Sequence, residues 1–203
     1  MVNHDASEDG GADRGQALTI EAVASGILLL VAVGFALQMT AVTPLSASTS
    51  SQHLENQLES SAEGVLAATA ESGALRDAVL YWNESEEKFH NATGDDYYRS
   101  GQPDTEFGDA LNRVFGNRNI AYNVIVHYQL DGERFTQRMI HQGRPSDHAI
   151  SASHTVALMD TYNLTEPDGA PELQRSSSYF IEDDAPDDPL FNVVRVEVIA
   201  WRI

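Results

Sequence analysis

Seven histidines and a run of carboxylates are the side chains best suited to chemistry in these 203 residues, and their spacing decides how far they can be used. His141, His148 and His154 match no metal-ligand spacing, and His154 falls within an alternating stretch that predicts a strand; ordinary surface or strand histidines are expected. Glu182-Asp183-Asp184 with Asp187-Asp188 has the oxygen ligands of a hard cation such as Ca²⁺. Pro186 and Pro189 interrupt it and the order of a calcium loop is missing, so a solvated acidic loop is the better reading. No glycine-rich phosphate loop, nucleophile elbow or carboxylate pair on one helix stands out. With no cysteine there is neither a disulfide framework nor thiol chemistry. The expectation is a protein that is not an enzyme and needs no metal or cofactor.

Three triplets carry a different chemistry: Asn83-Glu-Ser, Asn91-Ala-Thr and Asn163-Leu-Thr are acceptors for N-glycosylation wherever the domain faces outside. Charge narrows the partners. Thirty-one acidic residues against twelve basic leave a formal charge of −19, and Lys88 is the sole lysine. Nucleic acid is excluded on that ground, because phosphate binding needs a basic surface. The composition resembles that of halophilic proteins, whose self-repulsion is screened over about 3 Å at about 1 M salt.

The element that must position everything else is an apolar run. From Ala22 to Leu37 there is no charge, and the apolar character continues through Met39, Ala41 and Val42. Ala22 to Thr43 is about 22 residues, roughly 33 Å of helix, against a bilayer core of about 30 Å. The rest of the chain is too polar to bury such a helix, which predicts a transmembrane segment. A cleavable secretory signal is the competitor, with small residues at Ser46, Ala47 and Ser48; the run is longer than such signals use and its N-terminal flank is acidic. Arg14 is the one basic residue before the run and the next basic residue is Arg76, a bias that puts the N-terminus in the cytoplasm.

Arg14-Gly15, followed by Gln16-Ala17-Leu18-Thr19-Ile20-Glu21 and the apolar run, resembles the class III signal of type IV pilins and archaeal pilin-like proteins. The resemblance implies a membrane peptidase that cuts between Gly15 and Gln16 and leaves the helix on the mature chain. Glu21 then becomes the sixth mature residue, whereas the bacterial pattern has glutamate fifth. Gln16 and Glu21 are thus about 140° apart on a helix, which favours pairing of the carboxylate with a neighbouring subunit's amine over pairing within the chain. Lying at headgroup level is the plainer explanation of Glu21. Gly26, Ala32 and Gly34 are small residues that would let assembled helices approach closely.

The expected organisation is a leader over 1–15 without structure, a transmembrane and assembly helix over 16–43, and an extracellular domain over 44–203. Within the last, Leu45 to Ser51 predicts a polar hinge. Leu54, Leu58, Ala62, Val65 and Thr69 then form one helical stripe beside Glu55, Glu59 and Glu63. Gly73 should interrupt the helix, with two further turns to Trp82. A polar, turn-rich stretch from Asn83 to Pro103 and a short helix over Glu106 to Phe115 precede alternating residues over Ile120–Leu130. Asp131-Gly132 supplies a hairpin turn, Glu133–Ile140 returns, and Ile150–Leu158 and Val193–Trp201 supply further strands. The fold class is therefore α+β: an N-terminal transmembrane helix continuing to an amphipathic helix packed on an antiparallel sheet, like a pilin head. The function expected is that of a minor pilin or pseudopilin in an archaeal type IV pilus-like surface or secretion system. Its partners would be the membrane, a prepilin peptidase-like protease and other pilin-like subunits. The alternative is a monomeric single-pass surface protein with an uncleaved anchor, acting as a binding or sensory module.

Overall fold

The computed structural model describes residues 10–93, 95–116, 118–165 and 171–203, with backbone alone for 10–18 and 39–51. The chain divides into two compact units, one ending at Gln52 and one spanning His53–Ile203.

The first helix, α1, is Gly10–Ser72. It departs from expectation at two places. It begins at Gly10, inside the segment expected to lack structure, and it continues through Pro44 and the Ser/Thr stretch where a hinge was expected. Serine and threonine cost roughly 0.5 kcal/mol each relative to alanine, whereas ending the helix and starting a second one would require a new nucleation of about 4 kcal/mol. Pro44 removes one backbone hydrogen bond without ending the helix. The break comes at Gly73, where φ is +84°, a left-handed conformation that glycine adopts without penalty. A short helix, α2, follows at Ala74–Val79.

In the second unit the sheet supplies the core's floor. Strands β3 (Ile120–Leu130), β4 (Glu133–His141), β5 (Ile150–Met159) and β6 (Leu190–Arg202) form an antiparallel sheet in the order β4-β3-β6-β5. Tyr122, Val124 and Val126 of β3 and Val194, Val196, Val198 and Ala200 of β6 are buried on one face, the period of two expected of half-buried strands. Against that face pack Ala62, Val65 and Leu66 of α1, Leu75, Ala78 and Val79 of α2, and Phe107, Leu111 and Phe115 of α3 (Glu106–Phe115). The apolar stripe of α1 buries from Leu58 onward, while Leu54 is exposed.

The stretch after α2 is more ordered than its polarity suggests. Trp82 is not helical: α2 ends at Val79, and Trp82–Asn83 (β1) pairs with Lys88–Phe89 (β2). The reason is packing. The Trp82 ring meets Phe89 edge-on at 5.3 Å and lies against Tyr179 and Phe180, and its indole N–H donates to the Ser178 carbonyl at 2.8 Å. Further on, Tyr98 joins the edge of β4 in parallel opposite Ile140, and its amide donates to the Met139 carbonyl at 3.0 Å.

Candidate functional site

Two surfaces have features that packing of a single chain does not use: the apolar part of α1 and the outer face of the sheet.

Thr19–Gln38 is a 20-residue helical segment long and apolar enough to cross a membrane, and none of it is buried within the chain. Ile20, Leu28, Leu29, Leu30, Phe35 and Leu37 are all exposed. An exposed, mainly apolar surface of this length needs lipid or other helices around it. Glu21 is exposed and falls inside this segment, one position before the expected span begins. A Cβ placed at Gly26 or Gly34 would meet nothing within 4 Å, so neither glycine is required by the chain's own packing. Arg14, Gly15 and Gln16 lie in the helical backbone of α1, and their side chains are outside the described residues, as are those of the expected span beyond Gln38.

The outer face of the sheet is polar and in part open. Near the start of β3 it is closed over: the Asn123 amide donates to the Gly143 carbonyl at 2.9 Å, its oxygen accepts from the Gln142 amide at 2.9 Å, and Ala121 and Trp201 are buried. Beyond that the strand register puts three rows in view. Arg138, Ile125, Glu197 and Ser153 form the first row, Thr136, His127, Arg195 and Thr155 the second, and Arg134 and Gln129 begin the third, which ends in Val193 and Ala157. Glu197 sits at the centre, 2.7 Å from His127 Nε2, and accepts from the Ser151 hydroxyl at 2.5 Å. Partial burial pushes the Glu197 carboxyl up, but its hydrogen bonds from Ser151 and His127 and the nearby charges of His127 and Arg195 outweigh that and hold it below its ordinary value. Arg134, Arg138 and Arg195 are exposed, and none makes an ion pair with a carboxylate within 4 Å among the described residues.

At the hairpin end of the same sheet the acidic loop is fastened down. The Asp131 amide donates to Asp184 Oδ1 at 2.8 Å, and the amide of buried Asn192 donates to the carbonyls of Gln129 and Glu182 at 2.8 and 3.0 Å. Asp184, Ala185, Asn192, Val193 and Gln129 line one shallow cleft, so the loop adjoins the third row of the outer face. No group of three or more His, Asp or Glu side chains close enough to hold an ion is found among the described residues.

The histidines separate. His148 Nδ1 lies 2.9 Å from Glu55 Oε1, His141 stands edge-on to Tyr97, and His154 is half-buried on the inner side of β5. Of the sequons, Asn83 is half-buried in β1, its oxygen accepting from the Ser85 amide and hydroxyl at 3.0 and 2.7 Å. Asn91 and Asn163 are exposed, Asn91 at a left-handed turn with φ +62°.

A family model matches residues 14–200, from Arg14 through the apolar helix and into the last strand of the sheet. The chain belongs to DUF7288, a family of unknown function. No curated protein and no solved structure matches the chain.

The His127–Glu197 hydrogen bond of the outer face is only partly legible in the sequence. Alternation places both His127 and Glu197 in the outward phase. That they are neighbours follows from the pairing of β3 with β6, which alternation does not specify.

Proposed function

We propose that this protein is a membrane-anchored, pilin-like subunit, a minor pilin or pseudopilin of an archaeal type IV pilus-like surface or secretion system, without catalytic activity. The observation that carries this reading is the wholly exposed apolar segment Thr19–Gln38, preceded by Arg14-Gly15 and followed in the chain by an α+β domain. The helix enters the cell membrane with the N-terminus in the cytoplasm, and a prepilin peptidase-like protease removes residues 1–15. Gly26 and Gly34, which pack against nothing in their own chain, then face neighbouring helices in the assembly, and Glu21 pairs with the new amine of an adjacent subunit. The domain outside carries glycans on its asparagine sequons and works in high salt, which screens its negative charge. Replacing Gly15 by leucine tests the reading in a native host. Loss of processing together with loss of surface assemblies supports it, and an unchanged mass with unchanged assemblies contradicts it.

A second reading has one observation in its favour. The backbone at Gly15 and Gln16 is helical, and proteases bind the bond they cut in an extended form. An uncleaved anchor carrying a binding or sensory domain would keep that helix intact from Gly10.

A further inference from the structure

The basic residues on the sheet's outer face are at odds with the rest of the molecule. In a chain of formal charge −19, the open rows of this face present Arg134, Arg138 and Arg195 against one carboxylate, Glu197, which His127 and Ser151 already engage. The three guanidiniums have no carboxylate partner within the described chain. Arg138 lies over the Tyr97 ring at 5.8 Å, a contact that leaves its N–H groups available. Immediately beside this face, across the cleft floored by Gln129 and Val193, stands the densest acidic segment of the chain, with Glu182, Asp184, Asp187 and Asp188 exposed.

We propose that the outer face of β3, β4 and β6 docks a second copy of this chain, each copy's acidic loop, Glu182–Asp188, lying on the other's Arg134, Arg138 and Arg195. Three arguments select this occupant. The first is charge: arginine binds carboxylates in a fixed fork, and five carboxylates in seven residues match three unpaired arginines. The second is size: Arg134 and Arg138 are about 13 Å apart along β4, and Arg195 lies two strands over, about 10 Å away, a triangle that a seven-residue loop can cover. The third is placement. Because donor loop and acceptor face adjoin at one end of the sheet, a two-fold axis there makes both contacts at once, the self-complementary arrangement that closed dimers use. The other acidic stripe, on α1, is a poorer fit, since Glu55 is engaged by His148. The proposal does not depend on cleavage after Gly15.

The test uses two charge-reversed forms of the full chain, held one copy per detergent micelle so that the apolar helices do not meet. One form carries Arg134→Glu, Arg138→Glu and Arg195→Glu; the other carries Glu182→Arg, Asp187→Arg and Asp188→Arg, leaving Asp184 to hold the Asp131 turn. Sedimentation velocity at the high salt in which the domain works should show wild-type pairs, since direct arginine–carboxylate contacts of about 2.8 Å lie within the screening length of about 3 Å at about 1 M salt. Each reversed form alone should associate about tenfold more weakly or worse, and an equimolar mixture should recover pairing through mixed dimers. Neutral forms, with glutamine or asparagine at the same positions, repeat the test should a reversal disturb folding. Wild-type copies that do not pair, reversed forms that pair as wild type does, or a mixture that fails to recover would each overturn the proposal.

Discussion

His127 Nε2 and Glu197 Oε2 lie 2.7 Å apart on adjacent strands, at the middle of the sheet face opposite the one that packs into the core. The pair sets the local charge. Glu197 offsets part of the positive charge of Arg195, while Arg134 and Arg138 have no carboxylate partner among the described residues.

The depressed Glu197 carboxyl stabilises the folded state above the ordinary carboxylate range, about 4.3 for a glutamate, and that contribution is lost as pH falls through the lower folded-state value. Replacing Glu197 by glutamine should therefore lower the melting temperature at neutral pH and leave it closer to wild type in acid. Thermal unfolding of both proteins across that range at fixed salt gives the difference. A gap that stays constant with pH would contradict the assignment.

Leu66 on α1 is 1% exposed, within the core under the sheet, whereas Leu54 on the same helix is 41% exposed. Leu66→Ala should destabilise the domain by about 2–5 kcal/mol, through lost burial and the cavity left behind. Leu54→Ala should fall within about 0.5 kcal/mol of wild type. Urea unfolding of the two variants measures both.

Gly108 lies in the first turn of α3, where a Cβ would come 1.9 Å from the Pro103 carbonyl oxygen. The close approach belongs to the turn that delivers Thr105, whose hydroxyl caps α3 by accepting from the Gly108 amide at 3.3 Å. Gly108→Ala must displace backbone and should cost more than Leu54→Ala, on the order of 2 kcal/mol or above. Equal unfolding midpoints for the alanine variant and wild type would refute it.

The exposed asparagines Asn91 and Asn163 should carry glycan ahead of Asn83, whose side chain is half-buried and holds its own turn through Ser85. Glycopeptide mass spectrometry of protein from its native membrane should find occupancy at the first two above that at Asn83. The reverse order would show that exposure does not govern the modification.

Much of this fold could be read from alternation and punctuation. The strands of the main sheet, the Asp131-Gly132 turn between β3 and β4, the span of α3 and the break at Gly73 all follow from local patterns. Tertiary contacts and helix propagation override the local pattern elsewhere. Trp82 continues a helical pattern but is drawn into β1 by Phe89, seven positions on, and by Tyr179 and Phe180, about 100 residues away and beyond any local window. Polar residues over 45–51 suggest a hinge, yet they include no glycine, and Pro44 removes one hydrogen bond without ending the helix. The arginine face was hidden for another reason. Arg134, Arg138 and Arg195 are up to 61 positions apart in sequence, and only the order β4-β3-β6 brings them to one surface.

The central claim, that the apolar helix belongs to a processed pilin-like subunit, is tested most directly at the N-terminus. Intact mass and N-terminal sequencing of the protein purified from its native membrane at high salt should give a chain that starts at Gln16. A chain that starts at Met1 would contradict the claim and leave the anchored surface protein, and a start near Ser48 would mean a secreted domain without its helix.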